Sequence, residues 1–220
     1  MPTRFEPMGL SALANVAMRA EINALPATLQ AAIVGLRDPN LTSPALTQLL
    51  LNDPAIAASV LREVARQVRL KSHINISSLG HCQSLLGTES IGTIVRLLRS
   101  LPAESKDVEE LHYREALVTS LHAAAHIGDW QRLQPLIHFE QCYVSALLMR
   151  LPEWTLWRQA PKEMKMLEAL ISRYAIARPE AEKLVFGCTL YEITVKIAQE
   201  WRLSDVLVNA LNAGRLPEMK

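Results

Sequence analysis

Glycine is scarce, at eight in 220 residues. Gly35, Gly80 and Gly87 do not stand at the spacing of any nucleotide fingerprint, so a glycine-rich phosphate loop is excluded. Cysteine is scarcer. Cys82, Cys142 and Cys188 are odd in number, far apart and set among apolar neighbours, which excludes a disulfide framework, suits a reducing compartment and predicts small core residues. Long apolar runs are missing too. Arg62, Arg96 and Arg150 interrupt the longest candidates before they reach the roughly 20 residues that a membrane-spanning helix needs. The first residues, with Arg4 and Glu6, lack the charged-then-apolar plan of a secretory signal, and the cytoplasm is the expected location. Neither sign of charge dominates: 23 Lys and Arg face 22 Asp and Glu. No net field would recruit nucleic acid or anionic lipid, and either contact would need a local patch. A Gly-x-Ser-x-Gly elbow is absent and no base neighbours a cysteine in sequence, so nucleophilic catalysis has no sequence support.

What is present is leucine and alanine at helical spacing. Ser43-Pro44 and Asp53-Pro54 each set a capping side chain before a proline suited to a first helical turn, whose N–H groups lack partners anyway. From Pro54 onward Ile56, Val60, Val64 and Val68 recur every four residues while Arg62, Glu63, Arg66 and Arg69 take the remaining surface, which predicts a helix with one buried side. Comparable patterns predict helices near Met8–Glu21, Ala27–Leu36, Glu89–Ser100, Val108–Ile127, Phe139–Met149, Glu163–Tyr174, Pro179–Trp201 and Ser204–Leu211. Gly87, Pro102, Gly128, Pro152 and Pro161 read as joints, and the polar stretch 102–107 as a seam between two halves. No repeat is seen.

Several segments, in order, resemble a known family. Leu25-Pro26 looks like its opening helix, and Asp53-Pro54-Ala55-Ile56 is similar to its Asp-Pro-Ala-Leu helix start. Ile76-Ser77-Ser78-Leu79 and Leu85-Leu86-Gly87 resemble a segment ending in Leu-Leu-Gly, and Glu140 to Leu148 resembles the helix leading to a His-Asp signature. Trp201-Arg202-Leu203-Ser204 looks like a Trp-Gly-Leu-Pro joint. The family is the HDOD domain, a helical bacterial regulatory module and divergent relative of the HD-type metal phosphohydrolases. Against its pattern Met149-Arg150 stands where His-Asp is frequent, Leu190 where a later histidine is common, Thr194 where a glycine is, and Ala65-Arg66-Gln67 where Asn-Ser-Ala is usual. A thioether beside a guanidinium supplies neither the charge nor the donors of a divalent metal site, so the resemblance implies loss of the ancestral catalysis.

Other groupings have a functional and a bland reading. His122 and His126 lie four apart with Asp129 beyond, a spacing that stacks two imidazoles for a metal or simply decorates a packing helix. Arg62, Arg66, Arg69, Lys71 and His73 form a basic stripe that could clamp phosphate or be a solvated face. Glu163, Glu168, Glu180 and Glu182 read as solvated charges. Trp154 and Trp157, three apart and just past Met149-Arg150, are either core or an exposed anchor for a partner.

These readings predict an all-α chain, a globular multi-helix bundle of HDOD/HD-like type. Residues 1–24 are an N-terminal helical extension, 25–212 the HDOD-like domain and 213–220 a tail. The resemblance implies a non-catalytic regulatory or signal-transduction module that uses no cofactor and binds a protein partner, with Arg62, Arg66, Arg69, Lys71, Trp154 and Trp157 as candidate contacts. Two readings from other classes stay open. One is a metal-dependent phosphohydrolase rearranged onto His122, His126 and Asp129; the other is a binder of a cyclic dinucleotide or other phosphorylated ligand through the basic stripe. Self-association is compatible with either.

Overall fold

The computed structural model describes residues 8–68 and 74–213. Its elements in chain order are α1 (Leu10–Arg19), β1 (Asn23–Ala24), α2 (Pro26–Gly35), α3 (Ser43–Leu51), α4 (Pro54–Val68), α5 (Leu79–Leu86), α6 (Thr88–Leu97) and β2 (Arg99–Ser100). There follow α7 (Val108–Leu133), α8 (Phe139–Leu148), α9 (Leu151–Gln159), α10 (Pro161–Tyr174), α11 (Arg178–Phe186), α12 (Leu190–Glu200) and α13 (Asp205–Ala213). The all-α fold class is as expected. None of these helices is long and apolar enough to cross a membrane.

One carboxylate organises the first half. Asp53 Oδ1 accepts the N–H groups of Ala55 (2.7 Å) and Ile56 (3.4 Å), capping α4. Its Oδ2 accepts Leu25 N–H (2.9 Å) and the Thr28 hydroxyl (2.5 Å), tying the start of α2 to the start of α4. Burial pushes the Asp53 carboxyl up while these four donors pull it down. At α3 the cap is Thr42, one residue before the expected Ser43, whose hydroxyl instead donates to Gln83 Oε1 (2.5 Å). α4 is buried along eleven of its fifteen residues, more than the single side expected, because it lies at the centre and packs on α3, α5, α6, α7 and α8.

The second half is built on α7, which runs 26 residues, or about 39 Å at 1.5 Å per residue. It passes through Gly128, which is no joint: a Cβ there would meet only Tyr143 Cε2 at an ordinary 3.8 Å. α7 packs on α8 and α9, α8 on α13, and α12 on α9 and α13. α1 belongs spatially with this half, burying Leu13, Ala14 and Ala17 against α9 and α12.

Hydrogen bonds also cross between the halves. β1 and β2 pair in parallel, Asn23 with Arg99 and Ala24 with Ser100, and Tyr113 of α7 closes them: its hydroxyl accepts Asn23 N–H (2.9 Å) and donates to Asn23 C=O (3.0 Å). Ile76 bonds through both backbone groups to the Trp201–Ser204 joint, donating to Arg202 C=O and accepting from Ser204 N–H, each at 2.8 Å. Glu140 of α8 places Oε1 on the N–H groups of Leu79 (2.6 Å) and Gly80 (3.3 Å), so a side chain of one half caps α5 of the other.

Candidate functional site

The site to test is the turn at Met149-Arg150, where the resemblance leads one to expect a His-Asp pair. α8 ends at Leu148, and Met149 and Arg150 lead into α9, where Pro152 costs nothing in a first turn whose N–H groups are unpaired anyway. Arg150 does not face an open space. Its Nε donates to Glu153 Oε2 (2.6 Å) and its Nη2 to Oε1, a bidentate fork within one helical turn. Burial lowers the Arg150 pKa, but the hydrogen bond and charge of Glu153, with the charges of Glu115 and Glu168, together raise it. Arg178, at the start of α11, brings Nη1 to 3.6 Å from Glu153 Oε1 and 3.7 Å from Glu182 Oε1, and Nη2 to 3.5 Å from Glu168 Oε1.

Two arginines therefore knit α9, α10 and α11 together around three carboxylates. Glu182 is itself buried, which pushes its carboxyl above the usual range, and its Oε2 accepts Leu190 N–H (3.0 Å) at the start of α12. Of the four glutamates read as solvated, Glu182 departs from that reading because its carboxylate closes the α11–α12 joint. Met149 turns its side chain outward, and its C=O accepts the Thr194 hydroxyl (3.2 Å), which also bonds Leu190 C=O (3.1 Å). Leu190 is buried. A divalent metal does not fit: a guanidinium supplies positive charge where the metal needs an anion, and the thioether points away.

Trp154 and Trp157 are both in the core rather than on a shared exposed face. Trp157 stacks on His112 at 4.1 Å between ring centroids, and Trp154 meets Tyr113 edge-on at 6.0 Å. The Trp154 Nε1 is buried without a hydrogen-bond partner. His122 and His126 are exposed along α7, and Asp129 accepts from Arg132 Nη1 (2.8 Å). Among the described residues no group of three or more His, Cys, Asp or Glu is placed to hold a metal.

The basic stripe is divided. Arg62 is half-buried and its Nη1 donates to the C=O of Ala20 (2.8 Å) and Met18 (3.5 Å), neutralising the carbonyl end of α1. Arg66 stays on the surface, forked onto Glu63 at 2.9 and 2.7 Å. Arg69, Lys71 and His73 lie outside the described residues. Sequence reasoning missed Glu140, Arg178 and Glu153. The Arg150–Glu153 and Arg178–Glu182 spacings carried local signals; the contacts of Arg178 with Glu153 and Glu168 join different helices.

Comparison with known proteins agrees with the fold. The response regulator MmoQ of Methylococcus capsulatus has a similar structure, with a TM-score of 0.72 at 17% identity, covering 92% of this chain and 79% of that one. A virulence factor of Campylobacter jejuni aligns with a TM-score of 0.66 at 17% identity, over 94% of this chain and 76% of that one. At such identities the likeness is one of fold. No curated protein matches the sequence. The HDOD domain profile matches residues 22–216. With that span covering nearly all of its helices, the chain belongs to the HDOD domain family.

Proposed function

We propose that this chain is a non-catalytic regulatory or signal-transduction module that acts by binding a protein partner. The observation that supports the reading most is the ion-pair network around Met149-Arg150, where the resemblance leads one to expect a His-Asp pair. Arg150 is forked onto Glu153 and Arg178 lies among Glu153, Glu168 and Glu182, so these carboxylates face guanidinium groups. The likeness in fold to a response regulator is compatible with a signalling role.

The test is elemental analysis of the purified protein for zinc, iron, manganese and nickel, combined with hydrolysis of a generic phosphodiester. The expected result is substoichiometric metal and no turnover above buffer. Stoichiometric metal with turnover that disappears in His122→Ala would overturn the reading and make the chain an enzyme with a relocated site.

A further inference from the structure

The last turns of α7 and the turn into α8 expose large apolar side chains together. Trp130 is 59% exposed, Leu133 83% and Ile137 94%. The display is fixed by local bonds: Gln134 N–H donates to Trp130 C=O (2.7 Å), and the Gln131 side chain accepts Leu136 N–H (2.6 Å), which holds the 134–138 turn open. At 3.6 residues per turn Asp129 and Leu133 share the outer line of α7, with Trp130 on one flank and Arg132 on the other. One acid and one base thus border the patch, already paired with each other across one turn.

From this we infer that the α7 tip is a self-association surface whose partner is a second copy of this chain. Its charges are self-complementary. A two-fold axis passing between Trp130 and Gln131 sets Asp129 of one copy opposite Arg132 of the other, twice, while both tryptophans fall on the same side of the axis. An isologous contact needs one patch that carries both signs, and this patch does. The patch is confined to the last turns of one helix and the turn that follows, which places a pair at the small end of specific interfaces. The expected dimer is therefore weak. This inference is independent of the proposed role, since the tip is separate from the Arg150 network.

The test is sedimentation velocity on the whole chain from low to several hundred micromolar, with helicity and melting temperature of each variant measured alongside. Wild type should show a concentration-dependent monomer–dimer equilibrium, and Leu133→Glu should abolish it without loss of helicity. Asp129→Arg and Arg132→Glu should each self-associate at least about tenfold more weakly, and an equimolar mixture of the two should dimerise again, because each supplies the charges the other needs. Wild type that stays monomeric throughout, a dimer indifferent to Leu133→Glu, or a mixture that does not recover would each overturn the inference. Monomeric protein that co-pellets with phosphatidylglycerol vesicles would overturn it in favour of a lipid surface.

Discussion

Arg202 sits at φ 54, in the left-handed region, within the Trp201–Ser204 joint where the resemblance places glycine. A Cβ in that conformation costs on the order of 1 kcal/mol, which the Ile76–Leu203 bridge on either side of it sustains. Arg202→Gly should therefore raise the free energy of unfolding by about 0.5–1 kcal/mol, read as a higher urea midpoint at unchanged slope. A lower midpoint would mean that the arginine side chain contributes more than its backbone costs. The substitution was legible in the sequence as a departure from the family; that it carries backbone strain was not, because a residue's own φ is set by what it joins. Glu182 shows the same limit. Burial raises its carboxyl above the unfolded value of 4.5, so the folded state holds the proton longer than the unfolded state does. Stability from this group is accordingly lost as pH rises through the window that begins near 4.5. Glu182→Gln should remove that loss: its stability relative to wild type should grow between pH 4 and 7, and a flat or falling difference in denaturation midpoints would refute the assignment.

Helices announced themselves where caps and periodicity agreed, and were misread where one punctuating residue carried two meanings. The single helix expected over Pro179–Trp201 is two, because Gly187 takes φ 75 and ends α11 while Thr189 and Glu192 form a reciprocal capping box that starts α12. Both signals were in the sequence, a glycine followed by Thr-x-x-Glu, and the apolar period running across them concealed the break. Thr189→Ala should cost about 1 kcal/mol and fray the first turn of α12, detectable as faster amide exchange at Ile193 than in wild type. α9 escapes the sequence pattern for the opposite reason: Pro152 reads as a joint, yet it occupies a first turn, where proline is at home. The β1–β2 pair had no signal at all, since two residues on each side cannot show a period and only Tyr113 and the packing of two distant segments create it.

Across the whole molecule, the polar 102–107 stretch suggests a boundary that the packing bridges. α4 lies between both halves, Glu140 caps α5 from α8, and Ile76 is bonded on both sides to the Trp201–Ser204 joint. Thermal unfolding should thus be one cooperative transition, with calorimetric and van't Hoff enthalpies in agreement. Two resolved steps would show that the halves are separately stable. The Arg150 network explains why the functional prediction from sequence stopped where it did. Met149-Arg150 departs from the pattern of the resemblance in the sequence itself, but the carboxylates and the second arginine around it come in part from α10 and α11, whose meeting with α9 has no local mark.

α1 has a further consequence, in time rather than space. Its buried face, Leu13, Ala14 and Ala17, rests on α9 and α12, the second of which ends at Glu200. A ribosome adding 5–20 residues per second reaches that point roughly 10–35 s after α1 has been made. Throughout that interval α1 lacks the second of its two supports, and its apolar side is open to whatever chaperone meets the nascent chain.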